Sequence, residues 1–466
     1  MGQSSALFWK SLVIPAAQKP LSQKERLFSD SQLWQMMVPL FIEQILVVAL
    51  GIADTFMVSF LGEAEVSGVA LVDQVNLIFL YILIALSSCG AVIVSQYLGA
   101  GDRENGNCGA GQLLSCAAFT GISLAALAGL FYEPFFSLLF GNVEPPVMAA
   151  AAEYMKICLF SYPALGIYHA GAAIQRSLGN TSCTMKISAA SNGINIIGNI
   201  LGLFVFHAGI AGVAVPTVLA RWFSAIVVTM LTFSQERPVY YEWKMIFSCH
   251  RDMIRRILAV AIPNAIENGF FQLMKVLLVG IVALFGTSQM AANGVAQSIW
   301  SLAAMFGVTM GYVYVTVIGR CMGAGMKEAA AYYFRKLSHM TLGLSVFWNL
   351  LVLIAAFLAL QWYPFTEETR QLVLVLVVLH NLCNAFFFPF SQPLAFGLRA
   401  AGDVKVPMYI TIFGTFCRVA LSVILGIWLD MGVVGVTLAM CLDWLFRALL
   451  MVKRWQEGAW ETKQLI

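Results

Sequence analysis

The sequence predicts an all-α polytopic membrane protein: twelve transmembrane helices in two six-helix lobes, related by a pseudo-two-fold axis along the membrane normal. Three observations carry this. Of 466 residues, 60% are hydrophobic and 11% charged, with a mean hydropathy of +0.81. Soluble domains run nearer a quarter charged, so this much apolar surface has no place in water. The apolar residues gather into runs long enough to cross about 30 Å of hydrocarbon, and the second half of the chain repeats the first. Together these exclude a soluble enzyme, a nucleic-acid binder and a disordered scaffold. The net charge of +3 is small. The ten cysteines stand singly, with no CxxC and no zinc spacing, so neither a disulfide framework nor a metal centre is expected.

Taken in order, residues 1–32 read as a cytoplasmic segment: a short apolar run broken by Lys10 and Pro15, unlike a cleaved signal peptide. The N-lobe (33–233) holds six spans, at 33–60, 67–98, 110–131, 149–174, 187–207 and 210–233. A polar linker, 234–256, leads to the C-lobe (257–452), with spans at 257–284, 290–319, 338–360, 371–396, 406–429 and 433–452. A cytoplasmic tail, 453–466, ends the chain. Each span is helical because lipid offers no partner to an unpaired backbone group. Pro39, Pro163, Pro216, Pro263 and Pro389 lie inside spans and predict bends. Lys and Arg outside the spans crowd onto one side: Lys10, Lys19, Lys24 and Arg26 before the first span, Arg237 to Arg256 in the linker, Lys453 and Arg454 after the last. Arg176 and Arg399 are counted with them as loop charges, and Arg370 stands alone on the opposite side. Both termini and the linker are therefore expected in the cytoplasm of a multi-pass cell-membrane protein.

The repeat holds a constant register. At an offset of 224, Pro39 pairs with Pro263, Glu43 with Glu267, Gly62 with Gly286, and 99–101 (Gly-Ala-Gly) with 323–325. After one deleted residue, at 223, Arg176 pairs with Arg399, Gly179 with Gly402, Gly209 with Gly432 and Gly212 with Gly435. Six spans per half is an even number, so both halves insert the same way round and enclose a central cavity. This is the architecture of a transporter.

The same residues resemble the multidrug and toxic compound extrusion (MATE) family. Pro39, Asp54 and Gly62 in MVPLFIEQILVVALGIADTFMVSFLG, VSQYLGAGD at 94–102, the paired RSLGNT and LRAAGD motifs, and NIIGN followed by GIAGVAVPT match its order nearly end to end. The resemblance implies a secondary antiporter that expels organic, cationic and amphiphilic compounds against an inward flow of H⁺ or Na⁺ by alternating access. The alternative within transport is a flippase of lipid-linked oligosaccharide from a related superfamily branch. That activity wants a strongly cationic cavity, and only Lys275 and Arg418 could supply one.

Intramembrane ionisable groups are costly, which makes them candidates for the coupling. Asp54 lies about 9 Å inside the outer end of the first span, at 1.5 Å per residue. In the fifth span Ser188, Asn192, Asn195 and Asn199 make a polar stripe at helical spacing, with Asn199 roughly 12 Å from the outer end. Thr217 of the sixth lies roughly 10 Å from its own. One carboxylate, two amides and a hydroxyl at similar depth suit Na⁺ coordination, or a carboxylate that takes a proton; either group equally well ties helices together. The resemblance implies that Asp54, Asn195, Asn199 and Thr217 form an N-lobe cation site. Asn199 stands where many members carry a second Asp.

Glu43 and Glu267, each four residues after a proline, are candidates for gating or substrate attraction, or for capture of backbone N–H groups freed at the kink. Lys275 and Arg418 bring positive charge into the C-lobe, with Glu267 and Asp443 as expected partners. The repeat position of Asp54 is Leu278 and that of Asn195 is Arg418. The resemblance places at Phe388 the acid that some Na⁺-coupled members carry in the tenth span. Coupling is therefore expected in the N-lobe alone. No catalytic triad, HExxH or phosphate loop is found, so no enzyme activity and no cofactor beyond the coupling ion is expected. The remaining partners are a small organic substrate, drawn to a cavity lined from 33 Phe and 21 Met, and membrane lipid. The chain is expected to act as a monomer.

Overall fold

The structure is a computed structural model that describes residues 26–141, 144–362, 365–463 and 465–466. The segment before residue 26, read above as a cytoplasmic lead-in, lies outside the described residues. Among the described residues twelve helices are long and apolar enough to cross a membrane: α1 Asp30–Val58, α2 Glu63–Ala100, α3 Arg103–Pro134, α4 Pro145–Ser177, α5 Thr181–Val205, α6 Ala211–Thr232, α7 Arg251–Ala283, α8 Thr287–Gly323, α9 Lys327–Trp362, α10 Glu367–Phe386, α11 Lys405–Trp428 and α12 Gly432–Gln456. No strand occurs among the described residues. Every expected span is present, but the helices overrun the apolar runs. α9 begins at Lys327 rather than 338, and α3 at Arg103 rather than 110. A helix needs only its backbone bonds to continue, and polar first turns let it reach out of the apolar layer.

Tight turns stop the helices where the glycines predict. Gly101 takes φ 72° after α2, and Asp102 N–H returns to the Tyr97 carbonyl at 3.1 Å. Asp102 then caps α3, its carboxylate accepting from Asn105 N–H at 3.0 Å and from the Asn105 side chain at 2.7 Å. These bonds hold the Asp102 carboxyl below the usual carboxylate range. The prolines divide into two groups. Pro39, Pro216 and Pro263 lie within unbroken helices. Pro163 instead opens a new segment after a 3-10 turn at Leu159–Ser161. The tenth span, expected as one helix, breaks at Phe387, and Pro389 opens Phe388–Ala400. At the first turn of a helix a proline gives up no bond.

The repeat is written into the backbone. α5 and α11 both end in a π-helical turn, Leu201–Val205 and Ile424–Trp428. Each is followed by a non-glycine residue with positive φ, His207 at 49° and Asp430 at 53°, and then by Gly209 at 57° and Gly432 at 54°. Every one of these pairs is 223 residues apart.

The chain divides into two compact units, Ser31–Ala265 and Ile266–Ile466, the latter joined by 26–30. The first unit is centred on α2, whose Val72, Val75 and Leu83 are wholly buried against Tyr154, Cys158 and Tyr162 of α4. α5 and α6 close to backbone contact there: a Cβ added at Gly202 would lie 2.2 Å from the Gly212 carbonyl oxygen, so only glycine fits. In the second unit, Leu376 and Val377 of α10 pack with Ala292 and Ala296 of α8 and Val433 of α12. The segment before α1 is tied to α9 through Tyr333, which accepts from Phe28 N–H at 2.8 Å and donates to the Phe28 carbonyl at 2.7 Å.

Candidate functional site

In the first unit, the four residues expected to hold a cation are joined in one chain of hydrogen bonds across α1, α5 and α6. Asn199 donates through Nδ2 to Asp54 Oδ1 at 2.8 Å and to Asn195 Oδ1 at 3.0 Å. Asn195 donates in turn to Thr217 Oγ1 at 2.9 Å, and Thr217 donates to the Val213 carbonyl at 2.9 Å. Helical spacing makes this possible: Asn195 and Asn199 are one turn apart on the α5 face that meets α1 and α6. Asn192, one turn earlier, donates to the Leu46 carbonyl at 2.8 Å and fastens α5 to α1. Asn195, Asn199 and Thr217 are buried, Asp54 is half-buried, and Asn199 Oδ1 is buried with no hydrogen-bond partner among the described residues. Only Asn199 donates to Asp54; Asn195 and Thr217 pass their hydrogens the other way, ending at the Val213 carbonyl.

Sequence reasoning missed how far this site extends. Asp73 of α2 accepts from Asn76 Nδ2 at 3.1 Å, and Asn76 Oδ1 accepts from the buried Tyr162 hydroxyl at 2.6 Å. The Asp73 carboxylate repels that of Asp54, and Arg221 attracts both. Arg221 is steadied by a 2.6 Å bond to Ser161 Oγ, beside the break in α4. A D-x-x-N spacing inside an apolar run was the available signal.

Glu43 and Glu267 correct two expectations. Among the described residues, both carboxylates accept from side chains and neither from a backbone N–H at its kink. Glu43 accepts from Arg176 Nη2 at 2.7 Å, Thr184 Oγ1 at 2.7 Å and the Tyr168 hydroxyl at 3.3 Å. Glu267 pairs with Arg399 rather than with Lys275, both carboxylate oxygens lying 2.6 Å from Nη2. Arg176 and Arg399, counted above as loop charges, are thus buried within their units, and repeat mates pair with repeat mates. Their shared register could have revealed this. Asp443, the other expected partner, pairs with Arg447 one turn along α12, at 2.5 Å. Arg418 is 8% exposed and has no side-chain hydrogen bond or ion pair among the described residues. Lys275 lies exposed on α7. Leu278 and Phe388, at the repeat and span-10 positions of the expected acids, are buried in apolar clusters. No group of three or more His, Cys, Asp and Glu able to hold a metal ion is found among the described residues.

The MatE family model matches the chain twice, over residues 39–201 and 263–424. The two matches start 224 residues apart and end 223 apart, the register of the internal repeat with its one deletion. The chain is 26% identical over 456 residues to the "Uncharacterized transporter YisQ" of Bacillus subtilis, spanning 96% of this chain and 97% of that one. It is 27% identical over 446 residues to the "Probable multidrug resistance protein NorM" of Thermotoga maritima, spanning 93% and 94%. Among solved structures, it superposes on the outward-facing conformation of a multidrug resistance MATE family transporter of the MOP superfamily. There the TM-score is 0.83 and the identity 18%, over 96% of this chain and all of the other. A MATE structure in the bent conformation gives a TM-score of 0.81 at 18% identity over 92% and 95%.

Proposed function

Because the chain belongs to the MatE family and is a transporter rather than an enzyme, we propose that it is a secondary antiporter. In this reading it exports organic, cationic and amphiphilic compounds in exchange for protons by alternating access. It works as a monomer in the cell membrane, with both termini cytoplasmic and lobes at 33–233 and 257–452. The relatives named for multidrug resistance support drug export over the lipid-linked sugar alternative.

The observation that carries the reading is the chain of bonds from Asp54 to Thr217. In it Asp54 is an acceptor only. A proton arriving there turns the carboxylate into a donor, which must find an acceptor. Asn199 Oδ1, buried and bare of donors, is the nearest in kind. For it to accept, the Asn199 amide must turn, and its bond to Asn195 is lost. Asn195 is then free to release Thr217, so one protonation on α1 is felt on α5 and α6. A ligand can shift a two-state equilibrium only by its differential affinity, and these exchanged bonds provide such a difference. The observations favour H⁺ over Na⁺. Of the site's side-chain oxygens, only Asp54 Oδ2 and Asn199 Oδ1 carry no protein hydrogen bond among the described residues, fewer than a bare alkali ion needs. Asp73 and Arg221 set the charge around Asp54.

The test is ethidium transport in inverted vesicles, energised separately by a pH gradient and a Na⁺ gradient, with wild type beside Asp54→Asn. Accumulation driven by the pH gradient and abolished in the variant is the expected result. Accumulation under Na⁺ alone would overturn the choice of ion. No dye movement under either gradient would overturn drug export.

A further inference from the structure

The repeat gives the second unit its own copy of the Asp54 site, with the charge reversed. Leu278 replaces Asp54, Arg418 replaces Asn195, Ser422 replaces Asn199 and Met440 replaces Thr217. Where the first unit sets an amide donor on a carboxylate, the second puts a guanidinium into a buried position on α11. The carboxylate in reach, Asp443, already gives one of its two oxygens to another cation. A Cβ added at Gly414, one turn before Arg418, would meet Asp443 Oδ1 at 2.7 Å and Arg447 Cγ at 3.0 Å, so this face of α11 lies directly on the Asp443–Arg447 pair. Asp443 gives Oδ2 to Arg447. Arg418 therefore sits among Arg447 and Lys275, both repelling it, with the single shared Asp443 attracting it.

Two buried cations, with the exposed Lys275 nearby, against one carboxylate make an unbalanced cluster. Buried charges are paired or bind something, because an uncompensated ion away from water is costly. Arg418 is more than nine-tenths buried, yet its exposure is not zero. Its Nε is sealed and unbonded, while its Nη atoms are not among the sealed ones, which leaves the outer edge of the fork open to an incoming group. One residue from Asp443, the buried Trp444 stacks on the partly exposed Trp300 at 5.7 Å and meets Phe388 edge-on at 5.7 Å.

We propose that Arg418 anchors an anion site in the second unit, which takes the oxyanion of a small aromatic amphiphile through the free edge of its guanidinium. The planar fork matches the two oxygens of a carboxylate or a phosphate, Lys275 adds attraction from α7, and Trp300, the partly exposed member of the aromatic stack, offers an apolar wall. The export reading then gains a substrate class: flat amphiphiles that carry an anionic group beside the cationic one, that is, zwitterions. The inference rests on that reading for its physiological meaning only, because binding is measured without any gradient.

The experiment is calorimetric titration of the full chain in phosphatidylcholine nanodiscs with 1-naphthoate, its uncharged methyl ester and 1-naphthyl phosphate. Naphthoate or the phosphate should bind about tenfold or more tighter than the ester, the span expected for hydrogen bonds to a charged group. Arg418→Gln should erase that preference, and Arg418→Lys should keep it at reduced affinity because the charge survives without the fork. Thermal unfolding supplies the second readout: Arg418→Leu should melt at or above wild type, since it removes an uncompensated buried charge. Equal binding of acid and ester, no binding of either anion, or a lower melting temperature in Arg418→Leu would overturn the proposal. The last result would make Arg418 a structural partner of Asp443. Loss of naphthoate binding in discs containing phosphatidylglycerol would overturn it in favour of a lipid headgroup.

Discussion

Replacing Arg399 by Leu leaves Glu267 as a buried carboxylate with its only guanidinium gone. The side chains of this pair are 4% and 6% exposed, and breaking a buried pair from one side costs about 3–5 kcal/mol. The repeat supplies an internal control. Arg176→Leu strips Glu43 of its guanidinium too, but Thr184 Oγ1 still donates at 2.7 Å and the Tyr168 hydroxyl at 3.3 Å. One good hydrogen bond to a charged group is worth roughly 1.5–3 kcal/mol, so the cost at Glu43 should fall by about 2 kcal/mol relative to Glu267. Removing both partners, as in Glu267→Leu with Arg399→Leu, leaves no orphaned charge and should return most of the loss. Purified variants would be heated at one fixed scan rate and followed by intrinsic fluorescence, with rank order as the readout because unfolding of such a protein is irreversible. The expected order of melting temperature is Arg399→Leu lowest, Arg176→Leu above it, and the Glu267/Arg399 double variant above Arg399→Leu. Equal losses in the two single variants would refute the reasoning, as would a double variant no better than Arg399→Leu.

Two further outcomes follow from the helix contacts and caps. Gly202→Ala drives a methyl to within 2.2 Å of the Gly212 carbonyl oxygen, whereas a Cβ at Gly193 on the same helix meets nothing within 4 Å. Gly202→Ala should lower stability by about 3 kcal/mol, as overpacking against rigid backbone does, and Gly193→Ala should melt with wild type; matching curves for the two would undo the close-approach argument. Asp102→Ala should cost about 1 kcal/mol at neutral pH through loss of the cap. The folded carboxyl has its pKa depressed by Asn105, so this stability is fully present above the unfolded value near 3.9 and is lost as pH falls through the folded one. Unfolding curves of Asp102→Ala and wild type should converge under strongly acidic conditions; a gap that persists there would mean the carboxylate charge contributes nothing.

Much of this was legible in the sequence because lipid leaves the chain few choices. Twenty apolar residues must be a helix, and a repeated Pro, Gly and Glu register must be a repeated fold. The same register foretold the backbone, since eight of the ten positive-φ glycines among the described residues fall in mated positions. Asp54, Asn195, Asn199 and Thr217 came together because depth and helical face already constrained them. The pairings were harder to read. Arg176 and Arg399 sit at helix ends that look like loops by hydropathy, and only packing decides whether such a residue turns outward or folds back on a carboxylate. Asp73 was hidden by its neighbours: a single acid in VALVDQVN carries no periodic signal. Its partner Asn76 is visible only through the spacing, and Arg221 only through the fold.

The π-turns that end α5 and α11 bear on ancestry. Each is a local underwinding that breaks the regular ladder, and such bulges are frequent at functional sites. Here both stand at one register, each trailed by a strained non-glycine residue. Two independent acquisitions are an uneconomical account, so the irregularity is best dated before a single gene copy was doubled. Since then the halves have drifted apart in chemistry, acid against leucine and amide against guanidinium, while the kink stayed in both. It belongs to the common mechanical frame that both halves inherited.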